Sequence, residues 1–230
     1  MTDERHSEAD VPSLVADETA RAEREASNAI VQFDHVLDMI DNVVRGGQPF
    51  RLRVSLIQDL HRLALDGLSA YAGNWRPGDV RIGHSRHEPP KAHLVAGLME
   101  EMCDWINDRF HTASPITLCA YTMWRLNWIH PFDDGNGRTS RAVAYFVLGA
   151  SVGYRLPGRV TIPELIAANK APYYRALELI DDSARREDEP ALTPMKELIE
   201  GYLAKQLAEA FEAANSAVAD NDTAQDRKFH

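Results

Sequence analysis

Residues 130–141 read HPFDDGNGRTSR, and they gather reactive groups of several kinds in one short stretch. His130 brings an imidazole, Asp134 a carboxylate, Asn136 a carboxamide, and Arg138 and Arg141 a guanidinium each. Gly135 and Gly137 lie among them and allow positive φ and close approach of backbone to a ligand. A simple turn needs one Gly and one Asp, so this stretch exceeds what a connection requires. If a helix begins near Arg138, its first turn offers unpaired N–H groups and the positive end of a dipole. Together with the glycines this makes an anion cradle. Arg138 and Arg141, three apart, can point to one side of that helix start, where two guanidinium forks suit phosphate oxygens. Asp134 suits Mg²⁺, which binds a carboxylate plus phosphate oxygens. The Asn136 amide can donate to a phosphoryl oxygen, and His130 can act as a general base near neutral pH.

These parts fit phosphoryl or nucleotidyl transfer from a Mg²⁺-nucleotide. Plainer roles stay open at this level. A histidine before a proline is commonly structural, the arginines could pair with Asp133, Asp134 or a distant Glu, and DGNG could be a tight turn. Two other loop types do not fit. The P-loop pattern GxxxxGK[ST] is absent, and an EF-hand loop starting at Asp134 would need Glu where Tyr145 stands.

The flanking segments must position the loop. ITLCAYTMWRLNWI before it and AVAYFVLGA after it read as core-forming helices. Ser114-Pro115 supplies an N-cap and a first-turn proline for the first of them. Upstream, Ile30, Phe33, Leu37, Ile40 and Val44 share one face of a helix over about 17–44. Further helices are expected over about 51–71, 92–109, 161–169, 171–182 and 193–215. Between the second and third, Gly and Pro punctuate the short strand-like piece Val80-Arg81-Ile82, which predicts a hairpin or flap. The fold class expected is all-α, a helical bundle with one small β-hairpin. Residues 1–16 are expected as a flexible tail, 17–185 as the catalytic domain with its N-terminal helix, 186–215 as a C-terminal helix packed on it, and 216–230 as a disordered tail.

The net charge of −10 argues against a broad nucleic-acid or membrane-surface partner. The acidic N-terminus lacks the features of a secretory signal. The longest apolar stretch falls far short of the ~20 residues of a membrane span. The two cysteines, Cys103 and Cys119, lie in helical apolar patterns, which predicts buried free thiols in a reducing compartment. The expectation is a cytoplasmic protein. The apolar faces of its first and last helices would serve a homodimer or the core equally well.

The stretch HPFDDGNGRTSR resembles the signature of the Fic-domain family, HxFx(D/E)GNGRxxR, at every fixed position. The Gly73…Arg76…Val80-Arg81-Ile82-Gly83 segment, followed by Pro89-Pro90, is similar to that family's flap. Tyr173-Tyr174 resembles the segment lining the adenine side in relatives. The likeness covers roughly residues 20–185. It implies a Fic-type helical bundle and a protein adenylyltransferase that moves AMP from ATP to a Ser, Thr or Tyr hydroxyl of a target protein. By this match His130 takes the hydroxyl proton, and Asp134 holds Mg²⁺ between the α- and β-phosphates. Asn136 and the Gly135–Gly137 backbone stabilise the α-phosphate, Arg138 grips the outer phosphates, and Arg141 reaches the γ-phosphate. Phe132 anchors the loop, Tyr173 and Tyr174 line the nucleotide, and Val80, Arg81 and Ile82 take the target backbone as an added strand.

Many members of that family carry an inhibitory helix, [ST]xxxE[GN], whose Glu pairs with the second arginine of the signature. The matching stretch here, Ser27-Asn28-Ala29-Ile30-Val31-Gln32, has Val31 in place of the Glu. This implies that Arg141 lacks the usual internal carboxylate, with Glu23 and Glu197 as candidate substitutes. The phosphate-transferring branch has Lys in place of the second signature glycine, so Gly137 favours AMP. Removal of AMP is linked to the inhibitory Glu, which Val31 disfavours. The alternatives are transfer of another phosphate-containing group on the same fold, or a non-catalytic module that binds nucleotide or partner.

Overall fold

The computed structural model describes residues 7–8, 14–46, 49–83, 85–186 and 189–226. Their helices are α1 (Glu18–Arg45), α2 (Val54–Leu65), α3 (Val95–Arg109), α4 (Pro115–Ile129), α5 (Asn136–Val152), α6 (Ile162–Ala168), α7 (Ala171–Ala184) and α8 (Thr193–Asp226). Two short strands, β1 (Ser7–Glu8) and β2 (Arg81–Ile82), complete the set. The all-α expectation holds.

α4 and α5 form the centre. Each is apolar on nearly all faces, as a helix surrounded by others must be, and every residue from Ala142 to Ala150 is buried. Ser114 caps α4 by accepting from the Thr117 amide at 3.1 Å, with Pro115 in the first turn, as the sequence suggests. α1, α2, α3, α7 and α8 pack around this pair. α1 comes very close to α5: a Cβ at Gly149 would lie 2.6 Å from Ile40 Cδ1. The 130–135 loop is the link between the two central helices, so the densest part of the core fixes both its ends.

Three expectations need correction. The flap is not a self-contained hairpin. β2 pairs antiparallel with β1, Ser7 opposite Ile82 and Glu8 opposite Arg81, so part of the expected N-terminal tail supplies the second strand. No local periodicity announces a two-residue strand whose partner is seventy residues away. α2 stops at Leu65, short of 71, because Asp66-Gly67 turns the chain, with Gly67 at φ 69°. α8 continues past 215 to Asp226; the rest of both expected tails, 1–6, 9–13 and 227–230, lies outside the described residues.

Cys103 and Cys119 are buried free thiols, as expected. Burial pushes the Cys103 thiol up to about 12 and raises that of Cys119 as well. Among the described residues no helix is long and apolar enough to cross a membrane.

Candidate active site

α4 ends at His130, whose φ and ψ of 51° and 59° are left-handed. It is the only non-glycine with positive φ among the described residues. Such a conformation costs about 1–3 kcal/mol and persists only where the surroundings impose it. Arg76 imposes it here. Its guanidinium is fully buried. Nε donates to the His130 carbonyl at 2.8 Å, Nη1 donates to the Gly78 carbonyl at 2.8 Å, and Nη2 donates to the Pro90 carbonyl. The Arg76 amide donates to the Pro131 carbonyl at 2.9 Å. One side chain thus ties the flap segment to the turn carrying His130.

Phe132 is fully buried, as its anchoring role predicts. Its ring stacks on His61 at 3.6 Å between centroids and meets Trp75 at 5.0 Å. His61 also holds the loop. The Gly73 amide donates to Nδ1 at 2.9 Å, so the ring proton sits on Nε2, which donates to the Asp134 carbonyl at 3.0 Å. Burial pulls the His61 pKa down to about 4, which keeps this tautomer neutral. Asn136 closes the loop: its Oδ1 accepts from the Phe132 amide at 3.0 Å, and its Nδ2 donates to the Phe132 carbonyl at 2.8 Å. The sequence reading gave Asn136 to the α-phosphate; in the folded protein both ends of its side chain clamp the loop backbone.

Gly135 is the N-cap of α5 with φ 73°, and a Cβ there would meet Leu65 Cδ2 at 2.3 Å. Only glycine satisfies both the conformation and the space. Beyond it the first turn of α5 carries amides that a helix start leaves without intrahelical partners. Asp134 Oδ1 accepts from the Gly135 amide at 2.6 Å, leaving Oδ2 toward the cationic side chains, 3.3 Å from Arg138 Nη2.

Arg141 sits deeper. Burial lowers its pKa, opposed by the nearby Tyr173 and Tyr174 phenols. With Arg138 it lines a cavity of about 270 Å³ between α1, α5 and α6, beside Ala29, Gln32 and Thr161. Among the described residues no carboxylate forms an ion pair with Arg141. Tyr174 is half-buried near it. Tyr173 is only 1% exposed; its hydroxyl bonds Asn127 Nδ2 at 2.7 Å and Ser140 at 3.2 Å. Tyr173 therefore braces α5 from beneath and is not placed to touch a nucleotide, a correction to its expected role. On the flap, Arg81 is exposed, Val80 half-buried and Ile82 buried.

Glu23 and Glu197 are both exposed. Val31 is half exposed, while its neighbours Asn28 and Gln32 turn inward. Asn28 donates to the Ala64 and Asp66 carbonyls at 3.3 and 2.9 Å, satisfying a group that the end of α2 leaves unpaired, and Gln32 donates to the Leu60 carbonyl within α2 at 2.9 Å. The side chains of α1 that do reach the site are Arg21, 3.2 Å from Asp134, and Glu25, 3.5 Å from Arg138. Their i,i+4 spacing is that of any solvated helix pair, so the sequence carries no signal for them.

A sequence model of the Fic/DOC family matches residues 51–148, which contain the flap, the loop and most of α5. That stretch of the chain is similar to a Fic/DOC-family domain. Among curated proteins it resembles the protein adenylyltransferase Fic of Drosophila willistoni, 32% identical over 137 residues, which is 59% of this chain and 26% of that protein. The protein adenylyltransferase fic-1 of Caenorhabditis elegans is 28% identical over 123 residues, 53% of this chain and 24% of the relative. The chain thus spans about a quarter of the length of these relatives. Among solved structures, a Fic-domain signalling protein from Bacteroides thetaiotaomicron superposes with a TM-score of 0.69 at 22% identity, over 88% of this chain and 76% of that one. Fic-1 of C. elegans gives 0.64 at 20% identity, over 84% and 53%. These structural likenesses establish the fold.

Proposed function

We propose that this Fic domain is a protein adenylyltransferase that transfers AMP from Mg²⁺-ATP to a Ser, Thr or Tyr hydroxyl of a target protein. The observation that carries the reading is the joint placement of His130 and the α5 N-terminus. A buried arginine holds His130 left-handed at the head of the loop, and the loop delivers Asp134, the first-turn amides and Arg138 together. The curated relatives' names support the same activity.

Asp134 fits a hard divalent cation. Its half-exposed Oδ2 already draws two cationic side chains. No group of three or more metal-ligating side chains occurs among the described residues, so remaining ligands would come from phosphates and water. Bound there, Mg²⁺ supplies charge neutralisation to the α- and β-phosphates. His130 accepts the proton of the target hydroxyl, whose oxygen attacks the α-phosphorus; the bond to the bridging α–β oxygen breaks and pyrophosphate leaves. The α5 amides stabilise charge building on the α-phosphate, as anion-hole donors do, and Arg138 and Arg141 hold the outer phosphates. The Arg81–Ile82 strand pairs antiparallel with Ser7–Glu8, and a target strand that takes the place of Ser7–Glu8 there presents its hydroxyl to the loop. A Cβ at Gly137 would lie 3.3 Å from Arg141 Nη1, so a larger residue would press on that guanidinium; it is the family resemblance that links a glycine at this position to AMP as the transferred group.

The test is purified protein with Mg²⁺ and α-labelled ATP, with and without lysate, beside His130→Ala. Label on protein that disappears with His130→Ala is expected. Label that persists in the variant would remove His130 as the base.

A further inference from the structure

α1 lies outside the stretch that matches the Fic/DOC family, yet it adds two side chains to the site. Arg21 Nε lies 3.1 Å from Glu25 Oε1, and Arg21 Nη2 lies 3.2 Å from Asp134 Oδ2. The same Asp134 oxygen is 3.3 Å from Arg138 Nη2, and Arg138 Nη1 is 3.5 Å from the same Glu25 oxygen. Two cations and two anions alternate around a closed ring. Both partners on the loop side belong to the proposed nucleotide machinery, and both on the α1 side carry the charge that machinery would meet in its ligand.

We propose that the first two turns of α1 form a displaceable electrostatic plug, in which Arg21 takes the cation's place on Asp134 and Glu25 takes the phosphates' place on Arg138. This rests on the nucleotide-transfer reading for the identity of the ligand. The plug and the metal–nucleotide exclude one another for a Coulombic reason. A divalent cation on Asp134 Oδ2 would face the Arg21 guanidinium, and a phosphate on Arg138 would face the Glu25 carboxylate. The device also differs from a carboxylate set on the second arginine of the loop. It acts on the first arginine and on the metal ligand together.

The same geometry makes the plug movable. The four side chains are 38, 37, 43 and 23% exposed for Arg21, Glu25, Asp134 and Arg138, so each pair is partly solvated and weak. The buried residues of α1 are Asn28, Gln32, Val36 and Ile40, all on the C-terminal side of Glu25. The helix is anchored there by the Asn28 and Gln32 bonds to α2 and by the core. Ahead of the helix the Leu14 amide donates to the Leu68 carbonyl at 3.3 Å, so the ring opens by release of the partly exposed Arg21 and Glu25 side chains while the helix stays in place. Nucleotide binding then competes with ring closure, and rising salt weakens the plug by screening.

The experiment measures binding, not turnover. Mn²⁺ replaces Mg²⁺ as a paramagnetic probe, and Mn²⁺-ATP affinity is read from free Mn²⁺ by electron paramagnetic resonance, with calorimetry in parallel. Wild type is compared with Arg21→Ala, Glu25→Ala and Arg24→Ala, the last removing an equal charge from the same helix outside the ring. Exposed ion pairs of this class translate to a tightening of about 1.4- to 5-fold for Arg21→Ala and Glu25→Ala, with Arg24→Ala near wild type. The Arg21→Ala result is the discriminating one, since removing a positive charge near a polyanion should by itself weaken binding. Weaker or unchanged Mn²⁺-ATP affinity in Arg21→Ala would overturn the plug. Ring-dependent binding without AMP transfer would overturn only the functional reading. Absence of binding in every protein would overturn both.

Discussion

Arg76 and His130 are joined by one hydrogen bond, from the guanidinium Nε to the His130 carbonyl at 2.8 Å, and that bond fixes the conformation of the proposed base. The contact is to backbone, so it sets where the imidazole sits without touching its chemistry. Arg76→Lys keeps the charge but cannot reach the His130, Gly78 and Pro90 carbonyls together. Released from this clamp, His130 should relax from the left-handed region, and kcat should fall about 10²-fold, as a misplacement of about 1 Å can cost. KM for ATP should change little, because the phosphate-binding groups are carried by α5. Steady-state kinetics separate the two; an equal rise in KM with kcat intact would remove the positioning role.

Gly135→Ala meets two obstacles at once, a positive φ and the Leu65 methyl at 2.3 Å. The expected loss of stability is about 1–3 kcal/mol from the backbone alone, with more from the clash. Adding Leu65→Ala should relieve only the clash. Urea denaturation of the single and double variants checks this, and a double variant as stable as Leu65→Ala alone would show that the backbone tolerates alanine.

His61 gives the protein a pH-dependent stability. Its folded pKa of about 4 lies below the ordinary 6.5 because burial disfavours the charged ring. The unfolded chain therefore binds the proton first. The contribution is fully present above about pH 6.5 and is lost as pH falls toward 4, up to about 3 kcal/mol in all. His61→Gln can still accept from Gly73 and donate to Asp134, and its stability should vary less over this range. Denaturation at pH 7.5 and pH 5 in both proteins would read the difference, and parallel slopes would contradict it.

Glu25, and not Glu23 or Glu197, should regulate nucleotide affinity. Glu23→Ala and Glu197→Ala, both at exposed positions, should stay within about twofold of wild type. Val31→Glu should also leave affinity nearly unchanged, since the side chain at 31 is half exposed. Calorimetric titration with ATP compares the three, and a large loss of affinity in Val31→Glu would mean that residue 31 can reach Arg141 after all.

The loop was legible in the sequence because its types and spacing are rare and because one contiguous stretch carries them. The helices flanking it were legible through Ser114-Pro115 and through continuous apolar runs. What supports the loop was not. Arg76, His61 and Tyr173 act through backbone carbonyls, amides and buried hydroxyls, contacts that any arginine, histidine or tyrosine could make and that no spacing encodes. Asn136 was read as a ligand donor because its amide suits phosphate equally well; only the Phe132 backbone beside it reveals the clamp. Arg21 and Glu25 look like an ordinary surface pair until α1 is laid across the loop, and β1 is too short for period-two alternation to appear. The apolar spacing of α1 marks its inward face only in part: Ile40 is buried but Ile30 and Val44 are exposed, and the buried positions include two amides, Asn28 and Gln32. A short motif alignment points to Val31, but that side chain is half exposed.

Which phosphate of ATP reaches the target decides between AMP transfer and phosphate transfer. The wild-type protein is incubated with lysate and Mg²⁺ in parallel reactions containing α-labelled and γ-labelled ATP. Protein-bound label from the α-position, none from the γ-position, and release of labelled pyrophosphate in the γ-reaction are predicted. Protein-bound γ-label would contradict AMP transfer and point to phosphate as the transferred group.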